Sequence, residues 1–166
     1  MKLRHLAAAA LCLLVGCGGD SDPRALVEEG SKALNSGKYE DAAKSYEEAL
    51  AGLGSDTANP EWKRAKMGLM RALIHVDAAR AKKDFLEFAG THPSKATDED
   101  FNLVASKLGD AGKLDEAIAV LGVGKAAYPE SPHLEALGSE LVKQAQSKGD
   151  ASALDTLKGL GYVGGD

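Results

Sequence analysis

The chain has 166 residues, of which 44% are hydrophobic and only 5% aromatic, and its formal net charge is −5. An acidic balance argues against nucleic-acid ligands, whose binding depends on lysine and arginine neutralising phosphates. The scarcity of aromatic side chains also argues against base stacking. Alanine, leucine, lysine and glutamate are abundant, and this composition predicts helices.

The first sixteen residues have the layout of a secretory signal peptide. Lys2 and Arg4 give a basic start, and residues 6–15 form an uncharged run rich in alanine and leucine. This run is too short to cross a bilayer as a helix, which takes about 20 residues. We therefore predict that residues 1–16 are removed, and that the remaining chain is long enough for one domain with a core.

The residues that end this segment, Leu-Val-Gly-Cys at 14–17, resemble the bacterial lipobox. The resemblance implies that the Cys17 thiol receives a diacylglycerol, that the peptide is cut before Cys17, and that the new amine is acylated, for example with palmitate. Two or three acyl chains anchor a protein stably, whereas one holds only marginally. The alternative is a buried core cysteine beside a chance hydrophobic run.

Further expectations follow for the membrane end of the chain. Cys12 would leave with the signal peptide, so no intrachain disulfide is expected. Residues 17–22 are then the lipidated cysteine and a flexible, glycine-rich tether. Gly18 after the cysteine resembles the class sorted to the outer membrane, facing the periplasm.

One sequence unit occurs twice: GKYEDA at residues 37–42 recurs as GKLDEA at residues 112–117. Apolar or small residues at i, i+4 and i+7 flank both copies, which is typical of one face of a helix. Each copy therefore predicts a helix, a tight turn at Gly37 or Gly112, and a second helix.

These units resemble the tetratricopeptide repeat, a helical hairpin of about 34 residues. The resemblance places repeats at 23–56, 62–95 and 98–131, a capping helix at 132–148, and a short last helix with a glycine-rich tail at 149–166. The implied fold is an all-α solenoid of three to four hairpins. The middle repeat lacks a turn glycine, and Gly68 could shift its register by one residue. We expect a loop at residues 51–59, and a tail whose apolar residue folds back after a helix stop at glycine.

Signals for catalysis or metal binding are weak throughout the chain. The histidines at 75, 92 and 133 are scattered, without the i+3 or i+4 pairing that a zinc site favours. The acids at 98–100 follow Thr97 at a predicted helix start, where capping explains them. Gly122–Lys125 lacks the spacing of a phosphate-binding loop. We therefore expect no enzyme activity, no metal, no cofactor and no small-molecule substrate.

In the tetratricopeptide family the first helix of each hairpin lines a concave surface. Carried over residue by residue, the groove positions are Val27, Ser31, Leu34, Asn35, Lys63, Lys66, Met70, Ile74, Asn102, Ser106 and Asp110. This mixed surface could hold an extended peptide or a partner helix. The alternative is that several of these residues pack between repeats, and for Leu34 and Ile74 the two interpretations have equal weight.

Charge is uneven along the repeats. Residues 61–95 carry a net charge of +4, whereas residues 23–56 carry −3 and residues 98–131 carry −4. A basic band between acidic flanks could attract an acidic peptide or lipid head groups. Solvated helix faces would explain the same charges.

The sequence thus predicts a non-catalytic scaffold, a membrane-anchored lipoprotein that holds a protein or peptide partner in a bacterial envelope complex for assembly, secretion or export. One alternative is a structural spacer or self-associating module without a specific ligand. Another is an accessory subunit of an envelope enzyme whose catalytic residues belong to the partner.

Overall fold

The computed structural model describes residues 22–163, so the predicted signal peptide, Cys17, the tether up to residue 21 and the last three residues of the tail lie outside the described residues. Within that range the chain forms helices and no strand, which confirms the all-α prediction. The helices are α1 (Pro23–Asn35), α2 (Tyr39–Leu53), α3 (Pro60–Val76), α4 (Ala78–Thr91), α5 (Asp98–Asp110), α6 (Leu114–Ala127), α7 (Pro132–Lys148) and α8 (Ala151–Gly159).

The helices pair in chain order, α1 with α2, α3 with α4, α5 with α6 and α7 with α8. The odd-numbered helices also contact one another in sequence, from α1 to α3, α5 and α7. On the other side α4 contacts α6 and α6 contacts α8. Within residues 22–163 no helix contacts another more than two places along the chain. The described part of the chain is therefore a row of helical hairpins.

Three odd-numbered helices end at a glycine in the left-handed region. Gly37, Gly112 and Gly149 have φ values of 72°, 76° and 66°. The amide after each glycine donates to the carbonyl oxygen five residues back, at 2.9 to 3.0 Å. This helix end requires a positive φ, which costs glycine least. The turns predicted at Gly37 and Gly112 are confirmed.

The middle hairpin turns without a glycine, through the single residue Asp77. Its amide donates to the Leu73 carbonyl at 2.7 Å and ends α3. Its carboxylate Oδ1 accepts from the Arg80 amide at 3.0 Å and begins α4. Asp77 therefore caps both helices, which a side chain that accepts backbone hydrogen bonds can do.

The loop predicted at residues 51–59 is shorter in the structure. Leu53 packs against the core and keeps α2 helical until Gly54, where φ is 56°. The Asn59 side chain accepts from the Glu61 amide at 3.0 Å, and Pro60 takes the first helical position of α3. The loop therefore spans residues 54–59: it ends where predicted, at Asn59, and it begins later than predicted because burial of Leu53 extends α2.

The cap predicted at Thr97 is confirmed. Its hydroxyl accepts from the Asp100 amide at 3.3 Å, and the Asp100 carboxylate accepts from the Thr97 amide at 2.9 Å. Beside it, the Ser131 hydroxyl donates to the Asp98 carboxylate at 2.7 Å and lowers the Asp98 pKa. These acids thus stabilise the start of α5 and tie it to the start of α7.

Candidate docking groove

The odd-numbered helices form a groove on their shared face, which we call the α1–α3–α5 groove. It has a volume of about 330 Å³. Its lining residues are Ser31, Leu34, Asn35, Tyr46, Arg64, Met67, Gly68, Arg71 and Leu103. α3 supplies the floor, and α1 and α5 supply the two sides.

Gly68 lets the floor of this groove approach Tyr46 of α2. A Cβ atom at Gly68 would lie 2.3 Å from Tyr46 Cζ, and one at Gly30 would lie 3.0 Å from the same ring. The Tyr46 ring is therefore held between two glycines of α1 and α3. Small residues are required here because any larger side chain would force the helices apart.

The Tyr46 hydroxyl is tied to the groove wall. Ser31 Oγ donates to the Val27 carbonyl at 2.9 Å, which uses its only proton. The Tyr46 hydroxyl lies 3.0 Å from Ser31 Oγ and must therefore act as the donor. This chain of hydrogen bonds fixes the ring and leaves the Ser31 oxygen at the groove surface.

Two exposed arginines of α3 line the groove. Arg64 Nη1 lies 3.5 Å from Glu61 Oε2. Arg71 makes no ion pair with any residue of 22–163. The two arginines are seven residues apart, about 10 Å along the helix, with Met67 and Gly68 between them. The groove therefore combines a partly apolar floor with two cationic side chains.

A second depression lies between α5 and α7, with a volume of about 300 Å³. It is lined by Asn102, Ser106, Pro132, His133, Ala136, Leu137 and Glu140. Its polar side chains come from both helices, and its apolar ones come from α7. The face of the odd-numbered helices thus offers two concave sites in succession.

Five of the predicted groove residues line these two sites: Ser31, Leu34 and Asn35 in the first, and Asn102 and Ser106 in the second. Leu34 does so as a largely buried side chain, 9% exposed.

Three predicted groove residues, Val27, Met70 and Ile74, are at most 1% exposed and belong to the core. The prediction that they line a groove is therefore wrong. Neighbouring helices cover the sides of α1 and α3 on which these residues lie. For Ile74, a groove position and packing between repeats had equal weight, and the structure shows packing.

The remaining predicted positions have other surroundings. Lys63 Nζ lies 2.7 Å from the Asp100 carboxylate. Lys66 lines a different depression, beside Trp62 and His92. Asp110 is exposed and pairs with Lys107 at 3.0 Å. The structure does not bring these three side chains to either groove.

The basic band of residues 61–95 is partly neutralised within the molecule. Lys63 pairs with Asp100, Arg64 pairs with Glu61, and Arg80 pairs with Glu47 and Asp84. Internal pairing thus accounts for part of the charge pattern. Of the eight cations in this band, only Arg64 and Arg71 line the α1–α3–α5 groove.

Sequence reasoning missed Arg64, Met67 and Arg71 on α3, and His133 and Glu140 on α7. The first groove is lined from α1, α3 and α5, and the second from α5 and α7. The positions carried over to α3 lie on other faces of that helix, and no position was carried over to α7. The sequence did contain one signal for this groove: Arg64 and Arg71 lie seven residues apart, on one face of a helix, with Gly68 between them.

The tail after α8 folds back as predicted. Gly161 has a φ of 88°, and Tyr162 covers Gly138 of α7, where a Cβ atom would lie 2.1 Å from the ring. The Tyr162 hydroxyl donates to the Leu134 carbonyl at 3.2 Å, and Lys125 Nζ lies 4.9 Å from the ring centroid. The tail thereby covers the last odd-numbered helix.

Burial raises the Tyr162 pKa, and the neighbouring Lys125 opposes that rise. Because the folded pKa exceeds the unfolded value of about 10, the stabilisation is complete below that pH and is lost as pH rises through the folded pKa. We expect one phenol to titrate above the ordinary range in near-ultraviolet absorbance and to vanish in Tyr162→Phe. If Tyr162→Phe removes only an ordinary transition, the tail is not docked as described.

Residues 22–163 lack two features that would suggest other functions. No group of three or more histidine, cysteine, aspartate or glutamate side chains in this range is placed to hold a metal ion. No helix in the same range combines the length and apolar character needed to span a bilayer.

The geometry defines a class of molecule, an array of helical hairpins with concave sites on one helix layer. No family model matches the chain, and comparisons with curated proteins and with solved structures found no match.

Proposed function

We propose that this chain is a non-catalytic interaction scaffold, a bacterial lipoprotein whose odd-numbered helices hold a protein or peptide partner in a cell-envelope complex. The observation that carries the proposal is the α1–α3–α5 groove, where exposed polar and cationic side chains surround a partly apolar floor. Such a surface suits an extended segment or a helix of a partner.

We assign the array to the tetratricopeptide-type solenoids within this proposal. The two copies of the recurring unit begin at the turns of the first and third hairpins, after α1 and α5. Small residues lie where the helices meet. A Cβ atom added at Gly30 would lie 3.0 Å from the Tyr46 ring, and one added at Gly124 would lie 3.0 Å from Phe101. Stacked repeats of this kind bury a continuous core and leave an extended surface for binding.

The envelope location rests on the sequence before the first helix. A lipid on Cys17 would place the array a short tether away from the membrane, no further than a few residues of chain allow. α1 begins at Pro23, capped by the Asp22 side chain, which accepts from the Arg24 amide at 3.1 Å. Asp22, the last residue of the predicted tether, thus belongs to the folded unit.

One observation favours self-association as a second candidate. The depression between α6 and α8 contains Ile118 and Val123, and Val123 is 45% exposed. An exposed apolar side chain of this kind can form a contact between copies, although single exposed residues are common on protein surfaces.

The test is capture from cross-linked membranes with a groove variant and a matched control. Asn35→Trp places a large ring at the groove, whereas Gln146→Trp makes the same kind of change at an exposed position that lines neither concave site. We expect the unaltered chain and Gln146→Trp to recover one stoichiometric partner, and Asn35→Trp to recover about tenfold less. Recovery of copies of this chain alone would instead support the spacer or self-associating module.

A further inference from the structure

The α1–α3–α5 groove has an apolar centre. Leu34 of α1, Met67 of α3 and Leu103 of α5 all line it, and the Tyr46 ring packs against Gly68 beneath them. An apolar side chain from a partner would therefore find aliphatic neighbours from three helices. Burial of such a side chain is favourable in proportion to the apolar area removed from water.

The polar side chains around this apolar centre carry a net positive charge. Arg64 and Arg71 are both exposed cations, and Ser31 and Asn35 are neutral. Among the described residues no acidic side chain lines the groove, although Glu61 lies 3.5 Å from Arg64. Arginine presents a planar set of donors that matches a carboxylate.

We propose that this groove selects an acidic protein segment, in which an apolar side chain lies between two carboxylates spaced three residues apart. This inference rests on the proposed docking function and names the chemistry of the partner. In the polyproline II conformation three residues make one turn and span about 9 Å, so side chains at i and i+3 lie on the same side of the chain. Seven residues of helix span about 10 Å, so the two carboxylates of a segment in that conformation reach Arg64 and Arg71 together.

A protein segment fits this site better than a membrane surface does. Lipid head groups lie in a plane, whereas the two arginines flank a concave site whose apolar centre needs an inserted side chain. Lys82 and Lys83 of α4 line none of the concave sites on the odd-numbered helices, so their joint replacement is a control that removes two positive charges away from the groove.

The experiment measures peptide binding to the intact lipidated chain in a nonionic detergent by fluorescence anisotropy. The probe is a labelled peptide with the core Glu-Leu-Ala-Glu, compared with Gln-Leu-Ala-Gln and Glu-Gly-Ala-Glu in the same flanks. We expect the first peptide to bind about tenfold more tightly than either analogue, and its affinity to fall as salt is added.

Arg71→Gln is the main variant, because Arg71 is exposed and makes no ion pair among the described residues, so its replacement should not disturb the fold. It should weaken binding of the acidic peptide by about tenfold, while Lys82→Gln with Lys83→Gln changes it less than about twofold. A peptide in which one glutamate is replaced by lysine should bind the unaltered chain weakly. The same peptide should bind the Arg71→Glu chain more tightly, because the two charges are then opposite again. This charge exchange separates recognition from a loss of folding.

Three results would overturn the inference: equal affinity for the glutamine peptide, no effect of Arg71→Gln, or binding of phosphatidylglycerol vesicles through Arg71 without binding of the peptide. The last result would identify lipid head groups as the ligand. If Asn35→Trp abolishes partner capture while Arg71→Gln leaves it unchanged, the docking function stands and only the acidic specificity fails.

Discussion

Replacement of Gly68 by alanine should lower the free energy of unfolding by about 2 kcal/mol. The new Cβ atom would lie 2.3 Å from Tyr46 Cζ, and the same ring also packs closely against Gly30, where a Cβ atom would lie 3.0 Å from it. Alanine is about 1 kcal/mol more favourable than glycine in a helix. The clash must therefore cost more than the expected loss in stability, because this gain offsets part of it. Thermal unfolding should show a decrease in Tm of about 4–8 °C.

Gly90→Ala is the matched control for this substitution. Gly90 also lies in a helix, α4, but a Cβ atom there would meet nothing within 4 Å. It should therefore be neutral or gain up to about 1 kcal/mol in stability. Tyr46→Leu in the Gly68→Ala background should recover part of the loss. A Gly68→Ala chain as stable as the unaltered one would show that α2 and α3 do not meet as described.

Replacement of Cys17 by alanine is expected to move the chain from the membrane fraction to the soluble fraction. Each buried methylene contributes about 0.8 kcal/mol to membrane binding, so loss of two or three acyl chains removes the anchor. Without Cys17 the predicted signal peptide would not be cleaved, and its apolar run could hold the chain at the membrane. The variant should therefore carry a non-lipoprotein signal peptide in place of residues 1–16. Fractionation and mass spectrometry measure the two expected changes, in location and in lipid mass.

Cys12→Ala is the control, because Cys12 lies within the segment predicted to be removed. It should leave both location and mass unchanged. An unaltered chain without added lipid mass at Cys17 would contradict the anchor, and so would a Cys17→Ala chain that stays on the membrane.

The sequence was sufficient to predict an all-α chain, two of its turns and one helix start. Gly37 and Gly112 signal turns because only a residue that tolerates positive φ ends a helix in this way, and Thr97 signals a start because its hydroxyl accepts an orphan amide. Such signals depend on a few adjacent residues. The turn at Asp77 was harder to locate, because one aspartate caps two helices and leaves no glycine in the sequence.

The groove was less predictable, because it depends on how neighbouring helices meet. The carried-over pattern places Met70 at the surface, but Met70 is fully buried, since neighbouring helices pack over that face of α3. Arg71, the next residue, lines the groove instead. A rotation of one residue on a helix, about 100°, separates a core position from an exposed one. Periodicity alone does not fix that rotation when the neighbouring helix comes from a different hairpin.

The most direct test of the scaffold function is site-specific photo-cross-linking in cells, with the reactive side chain at Asn35, at Ser106 or at Lys83. Asn35 and Ser106 line the two concave sites, whereas Lys83 is exposed on α4. We predict that Asn35 and Ser106 give the same discrete adduct with a different protein and that Lys83 gives none. Equal adducts at all three positions, or adducts only between copies of this chain, would contradict the account.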